Sequence, residues 1–212
     1  AIKGMDNVYH FAGQPDIPKS IEEPEITLSL NIQGTINLLK ACVSNNVNRF
    51  LFASTIYVYS DFGGFYKASK QSCEIIIKEY QKQFNLDYTI LRYGSLYGTR
   101  AGEDNFISRL LRQAIIEKKI IVDFEREAKR EYIHAKDAAK MSIDALNKAY
   151  INSSVMLTGY QRITCGELIE LIRDILGGDV KFVDIEPNNS RISGHYSRTP
   201  YVFRPEVSKK LV

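Results

Sequence analysis

The regular alternation of short apolar runs with helical segments most constrains what this chain can fold into. Stretches with helical spacing of apolar residues occupy residues 25–45, 66–84, 105–118 and 164–176, with a shorter one over 137–148. Between them lie short runs rich in β-branched and aromatic residues, at 7–11, 49–54, 87–92, 120–123, 155–158 and 180–184. Such alternation is typical of βαβ units. The sequence therefore predicts an α/β fold built on a parallel sheet.

Composition excludes several classes of protein. Hydrophobic residues make up 44% and charged residues 25% of the 212, a balance typical of a globular chain. With 28 basic and 25 acidic residues the net charge is +3, which gives no electrostatic sign of a nucleic-acid partner. No apolar run approaches the roughly 18 residues that a membrane-spanning helix needs. Three scattered cysteines fit a reducing, cytoplasmic setting, and no metal-ligand spacing is present.

Local signals predict several details of the secondary structure. Residues 14–24 contain three prolines and are predicted to form a loop. Asp137 is expected to cap a helix, and Thr164 with Glu167 to form a capping box. His10 is expected to be a hydrogen-bonded core residue, and His134 to make a structural hydrogen bond at a helix start.

A glycine-rich phosphate-binding turn is missing from this sequence. A doubly wound nucleotide-binding sheet begins with a strand, a G-x-G-x-x-G turn and a helix, and the chain contains no such pattern. We infer that either the fold is of another kind or the chain begins in the middle of it.

The sharpest chemical motif is Tyr66-x-x-x-Lys70, whose two side chains share one face of a helix. A free tyrosine has a pKa of about 10, and a nearby ammonium favours the phenolate. The motif therefore predicts a tyrosine with a lowered pKa that can act as a general acid or base. The simpler alternative is a solvated lysine beside a half-buried tyrosine.

Neighbouring segments favour the catalytic interpretation. The strand at 49–54 runs into Ser54 and Thr55, and the strand at 87–92 runs into a loop punctuated by Gly94 and Gly98. The carboxyl ends of parallel strands form the edge where such sheets bind ligands.

Several blocks in order resemble the extended short-chain dehydrogenase/reductases, in the UDP-glucose 4-epimerase-like family of NAD-dependent nucleotide-sugar epimerases and dehydratases. The blocks are D-x-V-x-H-x-A-G, N-x-x-G-T-x-N-L-L, S-T-x-x-V-Y, Y-x-x-S-K, L-R-x-x-S-x-Y-G and R-E-Y-I-H-x-x-D, at residues 6–13, 31–39, 54–59, 66–70, 91–98 and 130–137. They span nearly the whole chain up to about residue 177.

The resemblance implies a Rossmann-type, doubly wound parallel sheet with a smaller C-terminal substrate-binding region. Residues 1–100 would be the C-terminal part of the NAD-binding domain. Residues 101–212 would mainly bind substrate, with some segments returning to the sheet. Aligned this way, the first strands and the glycine-rich turn would precede Ala1. The residue that distinguishes NAD from NADP would precede it too, so NAD is expected and NADP stays open.

The resemblance also implies roles for individual residues. Thr55, Tyr66 and Lys70 would be catalytic, with Tyr66 as the base and Thr55 holding the substrate oxygen. The expected cofactor contacts, besides Tyr66 and Lys70, are Ala12, Gly13, Gln14, Asn31, Ser54 and Tyr93. The expected nucleotide-sugar contacts, besides Thr55, are Ser95, Asn105 and Arg130.

Departures from the family pattern bear on the reaction. Ser95 stands where the family commonly has Asn, and the segment from Tyr59 to Tyr66 is short. Ile56 and Tyr57 follow Thr55, where the 4,6-dehydratase branch carries an Asp-Glu pair. We therefore expect epimerisation through a transient keto intermediate. A dehydratase or reductase on the same scaffold and a non-catalytic NAD(P)-binding protein are the alternatives. The helices predicted over residues 25–45 and 66–84 carry apolar residues on two sides, which implies a homodimer.

Overall fold

The structure, a computed structural model, describes residues 2–102 and 104–185. Its strands are β1 (Asn7–His10), β2 (Arg49–Thr55), β3 (Asp87–Tyr93), β4 (Ser95–Tyr97), β5 (Lys119–Val122), β6 (Lys129–His134), β7 (Ser153–Leu157), β8 (Arg162–Thr164) and β9 (Lys181–Asp184). Its α-helices are α1 (Ile17–Glu22), α2 (Pro24–Leu28), α3 (Gly34–Ser44), α4 (Gly64–Phe84), α5 (Phe106–Arg112), α6 (Ala135–Asp144) and α7 (Cys165–Ile175).

A four-stranded parallel sheet organises the chain. Its strand order is β1-β2-β3-β7, and every neighbouring pair is parallel. Parallel strands need crossover connections, which α3, α4 and α6 supply here. The predicted α/β fold with a parallel sheet is confirmed.

Both faces of this sheet are covered, which explains the near-continuous apolar sequence of β2 and β3. On one face, Phe50, Phe52 and Ile90 pack with buried residues of α3 and α4. On the other face, Leu51 and Leu91 pack with Ala138 and other residues of the α6 region. The doubly wound arrangement follows from this two-sided burial.

A second core lies in the C-terminal part of the described chain. There β4 pairs with β6 in parallel, β6 pairs with β8 antiparallel, and β5 pairs with β9 in parallel. Residues of α5 and α7, including Leu110 and Ile169, are fully buried against Ile120. Because β7 lies beside β3, the chain returns to the main sheet after entering this region. The assignment of residues 101–212 to substrate binding stays a prediction, and its tail, 186–212, lies outside the described residues.

Two local predictions are wrong. The proline-rich segment 14–24 contains α1, because Asp16 caps it and Pro18 stands in its first turn, where the missing amide hydrogen costs nothing. The cap of α6 is His134, whose Nδ1 accepts from the Lys136 amide at 3.2 Å, and Asp137 lies inside the first turn. The structural hydrogen bond expected of His134 is therefore this cap.

The other helical predictions are largely confirmed. Thr164 and Glu167 form the predicted capping box of α7. The helix expected over 25–45 is present as α2 and α3, joined end to end by a π-helical turn, Ser29–Gln33. Among the described residues, no helix has the length and apolar character to cross a bilayer.

Candidate active site

The candidate site is a cleft at the carboxyl edge of the main sheet. In the register of β2 and β3, Thr55 pairs with Tyr93, so both strands end at the same level. The cleft has a volume of about 410 Å³. Its described lining residues are Phe11, Gly13, Gln14, Pro15, Ala53, Ser54, Thr55, Tyr66, Lys70, Tyr93, Gly94, Leu96, Ala135, Ala138, Ala139 and Ser142.

The start of α4 brings Tyr66 to Thr55. Gly63, with φ of +106°, and Gly64, with φ of +52°, turn the chain from the segment after Thr55 into the helix. A Cβ at Gly63 would lie only 2.9 Å from Lys67 Cβ and 3.1 Å from the Tyr57 ring, so this tight entry requires glycine. The Thr55 side chain lies close enough to Tyr66 to act on the pKa of its phenol, which it lowers. The two side chains thus meet in the cleft of the ligand-free chain.

Lys70 completes the group. Its side chain is buried, and Nζ donates to the Ala53 carbonyl at 2.9 Å and lies 4.8 Å from the Phe52 ring centroid. Burial lowers the pKa of Lys70. Among the described residues Ala53 is its one hydrogen-bond acceptor, so two of its three N–H groups remain for a ligand in the cleft.

The expected direction of the Tyr66 pKa shift is wrong for the ligand-free chain. Burial raises the pKa of Tyr66 to about 12, although the nearby Thr55 side chain partly offsets this rise. Lys70 Nζ lies 5.8 Å from the Tyr66 ring centroid and is directed to Ala53. Helical spacing correctly places the two side chains on one face, but it does not register the loss of water around the phenolate.

Asn31 ties the turn after β1 to the catalytic helix. Its Oδ1 accepts from the Gln14 amide at 2.7 Å, and its Nδ2 donates to the Gln14 carbonyl at 3.1 Å and to Ser69 Oγ at 2.8 Å. Gly13, with φ of +147°, runs so close that a Cβ there would lie 2.8 Å from Asn31 Oδ1. Asn31 therefore has its amide engaged by protein, which suits a supporting role.

A second cavity, of about 710 Å³, adjoins the cleft at Gly13, Gln14 and Pro15. Its other described lining residues are His10, Ala12, Leu30, Gly34, Asn37 and Leu38. The two cavities meet at the bare backbone of Gly13, with the free donors of Lys70 on one side. This shape and donor set fit an elongated, hydroxyl-bearing ligand.

His10 is a buried neutral residue. Burial, followed by the Lys70 charge, lowers its pKa to about 4. Its Nε2 lies 3.0 Å from Thr35 Oγ1, and that hydroxyl donates to the Asn31 carbonyl at 2.6 Å. His10 therefore donates from Nε2, as expected for a satisfied core histidine.

Two of the expected cofactor contacts have hydroxyls that the protein itself uses. Ser54 Oγ donates to Glu74 Oε1 at 2.6 Å, and the Tyr93 hydroxyl lies 2.6 Å from Ser142 Oγ. Both residues still line the cleft. Their contacts with a cofactor stay predictions, for which their backbone and ring atoms are available.

The three expected substrate contacts beyond Thr55 lie outside the lining of the cleft. Ser95 starts β4, between the lining residues Gly94 and Leu96. Asn105 caps α5, and its Nδ2 donates to the Leu96 carbonyl at 2.8 Å, which places it beside the cleft. Arg130 lies on β6, opposite Ile163 of β8. Their roles stay predictions.

Sequence reasoning missed several residues of this site. Ser20 of α1 is fully buried, and its hydroxyl accepts from the Tyr66 amide at 3.1 Å, so it caps a helix 46 residues away. No local signal identifies such a cap. Glu74, four residues after Lys70 on the same helix, was open to detection by helical spacing. In the part of the chain that the structure describes, no cluster of metal-ligating side chains is present.

Known proteins match this chain in both sequence and fold. The family model of the NAD dependent epimerase/dehydratase family matches residues 1–155. The chain is 27% identical over 190 residues to YtcB, an uncharacterized UDP-glucose epimerase of Bacillus subtilis (strain 168), covering 83% of this chain and 60% of YtcB. It is 24% identical over 221 residues to a dTDP-glucose 4,6-dehydratase of an Actinoplanes species, covering 95% and 69% of the two chains.

The fold is also that of a solved enzyme. A tyrosine-to-phenylalanine mutant of a UDP-glucuronic acid 4-epimerase from Bacillus cereus, solved with NAD, superposes with a TM-score of 0.85 at 23% identity, covering 98% of this chain and 72% of that one. The chain spans between 58% and 62% of the length of the first three curated relatives. The expected family and its cofactor, NAD, are confirmed, and the chain belongs to the NAD-dependent epimerase/dehydratase family.

Proposed function

We propose that this chain provides the catalytic part of an NAD-dependent nucleotide-sugar epimerase that works through a transient keto intermediate. The observation that carries the proposal is the convergence of Thr55, Tyr66 and Lys70 in one cleft with the Gly13 turn. Among the described lining residues, the ionisable side chains are Tyr66, Lys70 and Tyr93. This set suits one reversible proton transfer.

Each residue of the site has a distinct task in this proposal. Thr55 holds a sugar hydroxyl in line with Tyr66, and Tyr66 exchanges the proton of that hydroxyl. Lys70 directs its two free N–H groups to the ribose of the cofactor. NAD, when bound, supplies the hydride acceptor and, in its oxidised form, a cationic ring.

The raised pKa of Tyr66 makes the chemistry conditional on binding. With a pKa of about 12, Tyr66 is a neutral phenol near pH 7 in the ligand-free chain. It becomes a base near neutral pH only when positive charge lies close to its oxygen. Proton transfer is thereby coupled to occupancy of the cleft.

The epimerase proposal is favoured over the dehydratase alternative by what the cleft lacks. A dehydratase needs a second acid/base pair beside the Thr hydroxyl. Ile56 is buried and carries no ionisable group, and no carboxylate, histidine or cysteine is among the described residues of the cleft. The non-catalytic alternative is disfavoured, because a binding protein has no need of Thr55, Tyr66 and Lys70 together in one cleft.

The test is product analysis. We would incubate the full-length protein with UDP-, GDP- and dTDP-hexoses and follow each nucleotide sugar by mass and by proton NMR. We expect an epimer with the mass of its substrate, and loss of turnover by about 10²–10⁴-fold in Tyr66→Phe. Accumulation of a product lighter by one water would instead establish the dehydratase. Binding of nucleotide sugars with no conversion of any of them would favour the non-catalytic protein.

A further inference from the structure

A buried ion pair lies directly behind the candidate site. Glu74 of α4 and Arg92 of β3 are joined by two hydrogen bonds, from Arg92 Nε at 3.0 Å and from Arg92 Nη2 at 2.5 Å. The Glu74 carboxylate also accepts from Ser54 Oγ at 2.6 Å. The exposed fractions of the two charged side chains are 6% for Glu74 and 13% for Arg92. Solvent screening of this pair is therefore weak.

Arg92 extends the network to a third element. Its Nη1 donates to the Tyr59 hydroxyl, and its guanidinium carbon lies 4.7 Å from the Tyr59 ring centroid. Burial opposes the charge on Arg92, but hydrogen bonds and charge interactions with Glu74, together with Tyr59, outweigh it and raise the pKa of Arg92. Arg92 is therefore a fixed cation held by two partners.

Each member of the network is next to a residue of the candidate site. Ser54 precedes Thr55, Arg92 precedes Tyr93, and Glu74 follows Lys70 by little more than one helical turn. Tyr59 ends the short 3-10 turn, Ile56–Tyr59, that follows Thr55. The network thus joins β2, β3, α4 and the turn after Thr55 at one point.

The geometry explains why such a pair is useful here. A buried ion pair adds little net stability, because removing both charges from water offsets their attraction. A two-bond contact between Arg and a carboxylate, however, fixes direction as well as distance. Tyr66 lies eight residues from Glu74, about 12 Å along the helix, so a tilt of α4 of about 5° would displace Tyr66 by about 1 Å. A displacement of that size can cost about 100-fold in rate.

We propose that Glu74 is a positioning residue, which through Arg92 and Ser54 sets the angle of α4 over the ends of β2 and β3 and so aligns Tyr66 with Thr55. The kinetic test of this inference rests on the proposed epimerase function. A spectroscopic test rests on the geometry alone, so failure of the positioning inference can be separated from failure of the proposed function.

The experiment compares Glu74→Gln with a matched control at the opposite edge of the same strands. Arg49 starts β2, is buried, and donates to Thr89 Oγ1 at 3.0 and 2.7 Å and to the Leu146 carbonyl at 2.7 Å. Arg49→Lys therefore weakens a buried polar contact between β2 and β3 far from the cleft. Arg92→Lys, which keeps the charge but loses the two-bond geometry, replaces Glu74→Gln if that variant does not fold.

In the kinetic arm we measure kcat and KM of folded protein on the nucleotide sugar that the wild type converts. Glu74→Gln, or Arg92→Lys in its place, should lower kcat by about 10- to 100-fold with KM changed less than about three-fold. Arg49→Lys should keep kcat within about three-fold of wild type, even if it lowers the melting temperature as much as Glu74→Gln does. Equal kcat values for the two substitutions would overturn the inference.

In the spectroscopic arm the protein carries ¹³Cζ-labelled tyrosine, and the Tyr66 signal is assigned by its loss in Tyr66→Phe. We expect the Tyr66 signal of ligand-free protein to shift or broaden in Glu74→Gln, or in Arg92→Lys, and to stay in place in Arg49→Lys. A Tyr66 signal that responds equally to both substitutions would contradict the positioning role. If the wild type converts no nucleotide sugar, the proposed function fails and this arm alone decides the inference.

Discussion

Acid should destabilise this protein through His10. The exposed fraction of His10 is 7%, and its imidazole packs against the rings of Phe50 and Phe52. The ammonium of Lys70 is close enough to oppose a second positive charge there. Burial, followed by that charge, lowers the His10 pKa from 6.5 to about 4. In the unfolded chain His10 recovers an ordinary pKa of about 6.5.

The sign and size of the effect follow from this difference. Between pH 6.5 and 4 the unfolded chain binds a proton at residue 10 and the folded chain does not, so stability falls as the pH falls. The full contribution, present above pH 6.5, is on the order of 3 kcal/mol. That is a large share of the 5–15 kcal/mol or so that typically separates folded from unfolded domains.

The assay is urea denaturation of the wild type and of His10→Gln at pH 7.5, 6.5, 5.5 and 4.5. Glutamine retains an N–H donor for Thr35 but does not titrate, so it removes the pH dependence and keeps the contact. Every other ionisable group is common to the two proteins, so its contribution cancels in the difference. We expect the free energy of unfolding of the wild type to fall by on the order of 2 kcal/mol more than that of His10→Gln between pH 7.5 and 4.5. Parallel losses in the two proteins over this range would refute the reasoning.

Three further predictions concern a helix cap, a substrate contact and the oligomeric state. Ser20→Ala should lower the free energy of unfolding, measured by thermal denaturation, by about 1 kcal/mol, because the Tyr66 amide loses its cap. The control Ser72→Ala removes a hydroxyl that donates to the Ala68 carbonyl within α4, and it should lower the free energy of unfolding by less. Arg130→Ala should raise the KM for a nucleotide sugar about ten- to a hundred-fold if Arg130 grips the diphosphate, and an unchanged KM would assign it to the surface. Sedimentation should show a dimer at micromolar concentration, since Ile75 on α4 is 63% exposed. A monomer would count against a dimer that pairs through the two-sided apolar helices.

The sequence predicts the fold well where periodicity reports burial. Residues 49–54 and 87–92 are apolar on both faces, as in a parallel sheet covered twice, and they form β2 and β3. The segment 14–24 was predicted wrongly because prolines signal both loops and first helical turns, and only the cap by Asp16 distinguishes the two here.

The convergence of Thr55, Tyr66 and Lys70 in one cleft was predictable from the sequence, but the electrostatics of the cleft were not. Spacing alone places Tyr66 and Lys70 on one face, and resemblance adds Thr55. Tyr66 shares its cleft with residues from the turn after β1, from β2 and from α6, so its raised pKa has no local signature. Contacts between distant segments, such as Ser20 with the Tyr66 amide, are likewise invisible until the chain is folded.

The central claim, reversible oxidation at one carbon with Tyr66 exchanging the hydroxyl proton, is tested most directly by running the reaction in D₂O. Returning the product to H₂O removes deuterium from hydroxyl groups and leaves any that is bound to carbon. The account predicts an epimer with the mass of its substrate and no deuterium on carbon, since the hydrogen that leaves the carbon returns to it. A product that has lost water, or that carries deuterium on carbon, would contradict it.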